Sequence, residues 1–332
     1  MRNYLLLVLV TGSIVISACR SEKEKWNDDI SFEIKNEIKS FNDSIIAAIR
    51  ENNPQKLKLF FSDRLIDQIG KDLDSVVAKM HNTVHSTKYS VLDVYYIKSP
   101  KTDSRDTIVN DTKGDKSYKI NFDGTGGETY ISLLLHDEDD GQLLMTGIFQ
   151  KQQGQWKLNA FRIGRYSFFG NTAIDIYNKA KEMYDKGDVM DAANIIALAK
   201  QPLTPAFQFF QYSKDLEIKE FARKVLTEVD TVFRFPNLIG ELKTEPTIYN
   251  IRPLPMMEGI FPVITYGTKI NLSDTVSVKK ENDALQILIG QLFPGIEKNN
   301  KFVFFQAYQQ TPGGLKPEAH LEFVMHGIVN PL

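Results

Sequence analysis

The chain has 332 residues, a formal net charge of −2 and a pI near 6.3. Its 40 basic and 42 acidic residues are dispersed, so the sequence lacks the basic face typical of nucleic-acid-binding proteins. Cys19 is the only cysteine, which excludes an internal disulfide and a cysteine-based metal site. The length allows more than one domain, and their stability must come from apolar burial.

The N-terminus has the pattern of a secretory signal. One positive residue, Arg2, precedes an apolar run over 4–16, and small residues lead to Cys19. A membrane-spanning helix needs about 20 predominantly apolar residues. This run is shorter and contains Gly12, so the sequence favours a cleaved signal over a membrane span.

The segment Ile16-Ser17-Ala18-Cys19 resembles the lipobox of bacterial lipoproteins. The resemblance implies cleavage before Cys19, which would carry a diacylglycerol thioether and an amide-linked acyl chain such as palmitate. It makes 1–18 a signal peptide, and the charged residues that follow predict a flexible tether over 19–29. The lipoprotein pattern, with Arg20 and not aspartate after the cysteine, favours the outer membrane. The alternative is a free cysteine after an ordinary signal, and the membrane side is left open.

Helices and then strands are predicted over 30–168. Isoleucine and phenylalanine recur at three- and four-residue steps from Ile30, which predicts helices through Met80. Five strand-like segments and turn clusters follow, which predict an antiparallel meander with a polar loop over 99–115. The element order and the final Gly154-Gln155-Trp156-Lys157-Leu158 resemble NTF2-like (cystatin-like cone) domains. That resemblance implies a curved sheet wrapped on a long helix.

The rest of the chain predicts two further regions. Over 173–206, small and large residues resemble a single tetratricopeptide-like hairpin, and one repeat is too few for a solenoid. We therefore expect a helical hairpin region over 171–230. Alternating strands and one apolar helix predict a small α+β domain over 231–332. The fold class is thus α+β, with an NTF2-like sheet, a helical connector and a C-terminal α+β module.

Three motifs have a chemical and a structural interpretation. His81 and His85 are one helical turn apart, but Asn82 stands where a metalloprotease needs glutamate. Acidic residues over 137–140 precede Gly141, which fits a hairpin turn better than a calcium loop. The glycines of 124–127 lead into a strand and not a helix, which predicts a turn and no phosphate loop. We expect no metal and no cofactor.

Aromatic residues after the Trp156 strand are the first choice for a functional surface, because pockets are mostly apolar and favour domain junctions. A packed core is the competing interpretation. Two titratable residues in strands, Asp93 and His136, are the candidates for an acid or base in a cone-shaped cavity. The predicted pocket set is Asp93, His136, Trp156, Phe161, Tyr166, Phe168 and Phe169.

The sequence favours a non-catalytic role at the cell envelope, with the chain bound to the membrane by lipid on Cys19. The partner would be another envelope protein or a small apolar ligand, and not a nucleic acid. Two alternatives stay open. One is an NTF2-like isomerase or dehydratase, and the other is a scaffold subunit of an envelope complex.

The lipobox yields a direct test. Replacing Cys19 with alanine removes the sulfur that carries the lipid, so Cys19→Ala should move the chain from the membrane to the soluble fraction. One acyl chain alone binds membranes marginally, whereas two or more bind stably. Fractionation and mass spectrometry of the N-terminus measure this. A wild-type chain whose N-terminus is unprocessed, or whose Cys19 carries no lipid, would contradict the lipobox assignment.

Overall fold

The computed structural model describes residues 24–309 and 319–327, without the side chains of 99–104 and 125. Strand β1 (Glu24–Trp26) opens the described chain and is followed by a short 3-10 turn. Four helices come next and are α1 (Phe32–Arg50), α2 (Pro54–Lys58), α3 (Asp63–Ile69) and α4 (Leu73–His81). The apolar periodicity from Ile30 therefore predicted the helical character of this stretch, although Phe61 interrupts it by bridging to Leu158, which separates α2 from α3.

Four long strands form the antiparallel sheet that the helices cover. They are β2 (Ser90–Asn110), β3 (Tyr118–Glu138), β4 (Gly141–Gln152) and β5 (Gln155–Phe168). Strands β1 to β5 pair in chain order, and the short β6 (Asn171–Thr172) pairs with the end of β5. The fold class is confirmed as α+β with N-terminal helices on a curved antiparallel sheet.

The predicted loop over 99–115 is wrong for residues 99–110. Strand β2 continues to Asn110, and its pairing with β3 runs from Ser90 opposite Leu135 to Asn110 opposite Tyr118, with three register shifts. The prediction of a turn over residues 124–127 is also wrong, because β3 continues through these glycines. Gly126 and Gly127 have φ of +76° and +87°, and the β2 register shifts opposite them. The glycines therefore bend one long strand where a turn had been expected.

The predicted tether overlaps the folded part of the chain. Residues Glu24–Trp26 pair with Tyr95–Ile97 of β2, and residues 19–23 lie outside the described residues. The Asn27 side chain fixes the next residues, since its amide nitrogen donates to Asp93 and its oxygen accepts from the Val94 nitrogen. The prediction of a flexible tether is wrong for residues 24–29.

The helical connector covers the other face of the sheet. Helices α5 (Ala173–Asp185) and α6 (Val189–Leu198) form the predicted hairpin, and Gly187 has a φ of +87° between them. Strand β7 (Phe210–Tyr212) then pairs with the start of β3, and α7 (Asp215–Phe233) follows. One apolar core lies between the sheet and α1–α4, and a second lies between the sheet and the connector.

The C-terminal module is a five-stranded sheet with helices on one face. Pro253 and Pro255 lie inside a strand, Thr247–Met256. A short strand, Asn237–Leu238, pairs only with Thr247 and Ile248, so the prolines lie where that side of the strand is an edge. The last two strands pair antiparallel, with Phe302 opposite His326 and Tyr308 opposite His320. The elements are β8 (Asn237–Leu238), β9 (Thr247–Met256), β10 (Gly259–Gly267), α8 (Thr275–Leu292), α9 (Ile296–Asn299), β11 (Phe302–Tyr308) and β12 (His320–His326).

A third core joins this module to the connector. It contains Met190 of α6 and Val225 of α7 together with residues of β10, β11 and α8. Polar contacts add to it, because the amide groups of Asn299 and Asn300 donate to the Asp191 carboxylate at 2.8 and 2.6 Å. The connector is therefore packed against both sheets.

Candidate functional site

A groove of about 470 Å³ lies between α1 and the first half of β2. We call it the α1 groove. One wall is apolar and comes from β2 and β3, whereas the opposite wall comes from α1 and is polar. The lining residues are Asn27, Asp28, Lys35, Asn36, Lys39, Asn42, Tyr89, Val91, Leu92, Val94, Tyr130 and Leu134.

Two lysines stand on the polar wall one helical turn apart. Lys35 lies 3.8 Å from Asp28, whose side chain is fully exposed. Lys39 donates to Asp43 at 2.6 Å, and Tyr89 donates to the same carboxylate at 2.7 Å. Burial opposes ionisation of Asp43, yet these two hydrogen bonds hold its pKa below the ordinary value. The carboxylate therefore keeps Tyr89 in place at the mouth of the groove.

The floor of the groove is ordered by a buried polar pair. Asn42 of α1 is 6% exposed and accepts a hydrogen bond from Ser132 of β3 at 3.3 Å. Tyr130 lies on the same strand as Ser132 and packs edge-on against Trp156. These contacts fix α1 on the sheet. The arrangement suits a small ligand with an apolar part on one side and a polar part on the other.

Asp93 does not line this groove. It is 1% exposed and accepts from Tyr118 at 2.5 Å, from Asn27 at 2.8 Å and from Asn110 at 3.3 Å, with the Lys113 ammonium at 3.4 Å. The carboxylate is therefore fully satisfied. It lies on the connector side of the sheet. Its hydrogen bonds join Asn27 of the N-terminal segment to Asn110, the last residue of β2.

Two buried phenols complete this network. The Tyr95 and Tyr118 hydroxyls are 3.0 Å apart, and Asn110 donates to Tyr95 at 2.9 Å. Burial raises the pKa of Tyr95 to about 12. Burial, together with the neighbouring Tyr95 and Asp93, raises the pKa of Tyr118 further. Both phenols are protonated at neutral pH, so they donate hydrogen bonds and do not act as bases.

His136 lies on the helix side of the sheet, beneath Tyr89, whose ring centre is 5.7 Å away. Its side chain is fully buried, and neither ring nitrogen has a hydrogen-bond partner in the described part of the chain. Burial lowers the pKa of His136, against the opposing effects of the Ser86 backbone and of Glu138 and Asp137. The imidazole is therefore neutral at pH 7, and it lies outside the lining of the α1 groove.

The predicted aromatic set is not brought together. Trp156 and Phe161 lie in the core under α1–α4, whereas Tyr166 and Phe168 lie in the core under the connector. Phe169 has a φ of +44° in the turn after β5, where its backbone nitrogen donates to Asp140. Trp156 donates to Glu37 of α1 at 3.1 Å, which helps to hold that helix. The four core side chains serve packing on opposite faces of one sheet.

The other predicted motifs have structural roles. His85 lies 2.8 Å from Glu138, and the His81 ring lies 3.3 Å from the Ile49 carbonyl. The acidic segment before Gly141 is the tight turn between β3 and β4, as predicted, and Arg165 pairs with Asp140. Within residues 24–309 and 319–327, no group of three or more His, Cys, Asp or Glu side chains is placed to hold a metal ion.

Sequence reasoning missed the α1 groove. Lys35, Lys39 and Asn42 recur at helical spacing beside the apolar stripe of α1, which is also the pattern of a solvated helix face. Only the docking of α1 against β2 separates these two interpretations.

The chain shows no significant match to any protein-family model, to any curated protein or to any solved structure. The resemblances to lipoproteins and to NTF2-like domains therefore stay predictions from the sequence. Among the helices that the structure describes, none is long and apolar enough to cross a bilayer.

The Asp93 network gives a prediction about stability. Tyr118→Phe removes the hydroxyl that donates to Asp93 and leaves part of a buried carboxylate without a partner. We expect the free energy of unfolding to fall by about 1–3 kcal/mol. Urea unfolding measures it, and Tyr89→Phe is the control, because its hydrogen bond is exposed. If the free energy of unfolding fell by the same small amount in both variants, the hydrogen bond from Tyr118 to Asp93 would not stabilise the fold.

Proposed function

We propose that this chain is a lipid-anchored protein of the cell envelope that binds a small ligand in the α1 groove. The groove carries the proposal, because its volume of about 470 Å³ lies within the range of roughly 300–1,000 Å³ typical of small-molecule sites. An apolar wall facing a few polar groups is the usual composition of such sites. The lipobox residues before Cys19 support the anchor, and Arg20 favours the outer membrane.

An enzymatic role has less support. Asp93 and His136 are the two residues that such a role would use, and neither lines the groove. Asp93 already accepts hydrogen bonds from Tyr118, Asn27 and Asn110. His136 is fully buried beneath the Tyr89 ring. The groove itself offers lysine ammonium groups, amide groups and a phenol that hydrogen-bonds a carboxylate. These are groups suited to holding a ligand.

Filling the groove should abolish binding. Val91 lines the groove and is 55% exposed, so Val91→Trp places an indole in it without disturbing the core. Val109 lies on the same strand, is 52% exposed and lies outside the lining, so Val109→Trp is the matched control. We expect a small molecule to be released on denaturing the wild-type and Val109→Trp chains purified from envelopes. At least tenfold less should come from Val91→Trp.

Native mass spectrometry, followed by analysis of the released fraction, measures this amount. Equal release from Val91→Trp and Val109→Trp would contradict binding in the groove, and so would a wild-type chain that carries no small molecule. Circular dichroism confirms that both variants are folded.

A further inference from the structure

We infer that the occupant of the α1 groove is a phospholipid taken from the membrane that holds the anchor, an inference that rests on the proposed function. Three features support it together. They are the short distance between the anchor and the groove, the apolar β2–β3 wall, and the pair of lysines on α1.

The groove is held close to the lipidation site. Five peptide steps separate Cys19 from Glu24, and an extended chain of that length spans at most about 18 Å. Glu24–Trp26 are paired with β2, and Asn27, the next residue, lines the groove. Once Cys19 is anchored, the mouth of the groove cannot move far from the lipid headgroups. A phospholipid of that surface is therefore an amphiphile within reach of the groove.

The apolar wall fits an acyl chain. Val91, Leu92 and Val94 come from β2, and Leu134 comes from β3, with the Tyr130 ring beside them. Val91 is 55% exposed and Leu92 is half-buried, whereas Val94, Tyr130 and Leu134 are already buried, so Val91 and Leu92 form the apolar surface that a ligand would cover. Covering such a wall with methylene groups removes apolar surface from water, which is favourable. A fully water-soluble ligand would leave the wall exposed.

The polar wall fits a phosphate. Lys35 and Lys39 face the same groove one turn apart, and lysine binds phosphate as a point charge. Their present partners are weak competitors. Asp28 is fully exposed and 3.8 Å from Lys35, and the side chains of Lys39 and Asp43 are 63% and 47% exposed. Exposed ion pairs contribute little, so both ammonium groups can exchange these partners for a phosphate.

The experiment uses the full lipidated chain, reconstituted in vesicles of phosphatidylethanolamine and phosphatidylglycerol. The vesicles contain a phosphatidylethanolamine probe with a photoreactive diazirine in its acyl chain. After illumination, we expect crosslinks on the α1 and β2 peptides that line the groove. Their yield should fall at least fivefold in Val91→Trp and stay unchanged in Val109→Trp. A diacylglycerol probe without phosphate should crosslink at least fivefold less than the phospholipid probe.

Several outcomes would overturn the inference. Equal yields in the two tryptophan variants would mean that the lipid does not occupy the groove. Equally low yields in wild type and Val91→Trp would indicate another occupant, such as the acyl chain of the anchor. A wild-type chain that releases only a water-soluble molecule would overturn the lipid but keep the proposed function. A wild-type chain that floats with vesicles no better than Cys19→Ala would instead contradict the anchor.

Discussion

The structure depends on a sheet that is apolar on both faces. Neighbouring residues of one strand belong to different cores, as with Leu133 and Leu134 of β3 and with Leu144 and Met145 of β4. Such a sheet must be covered on both sides, because one exposed face would leave a large apolar surface in water. The helices α1–α4 cover one face, and the connector covers the other. The α1 groove is a place where the cover over β2 is incomplete, since Val91 is 55% exposed there.

Buried polar groups show how tightly this arrangement is specified. Asp93 lies between the sheet and the connector with donors on every side, so its burial is compensated by hydrogen bonds. His136 lies on the other face, where burial lowers the pKa of its imidazole and keeps the ring neutral. The first group fixes the N-terminal segment on the sheet. The second lies directly behind Tyr89, a residue of the groove.

The regular elements could be predicted from the sequence because their signals are local. The apolar periodicity of α1, the glycine between α5 and α6, and the turn before Gly141 each depend on a few adjacent residues. The predictions failed where distant residues decide the outcome. Polar residues over 99–110 read as a loop, yet pairing with β3 makes them a strand, and the glycines at 126–127 bend that partner strand.

The site was harder to predict than the fold for the same reason. Four of the predicted aromatic residues lie close together in sequence on β5. Trp156 and Phe161 pack in the core under α1–α4, whereas Tyr166 and Phe168 pack in the core under the connector. The groove needs α1 to dock beside β2, and it needs Glu24–Trp26 to pair with β2 so that Asn27 reaches the lining. No local sequence pattern predicts either of these contacts. Asn27 holds that N-terminal segment through Asp93, which lies 66 residues away.

Hydrogen exchange tests most directly whether a doubly covered sheet is the central element. Tyr95 of β2 and Ile131 of β3 are paired and fully buried. We expect their amides to exchange only through global unfolding, with an opening free energy equal to that from urea unfolding of the same chain. If these amides instead exchanged through a local opening while the helices stayed protected, the sheet would not be the element on which the fold depends.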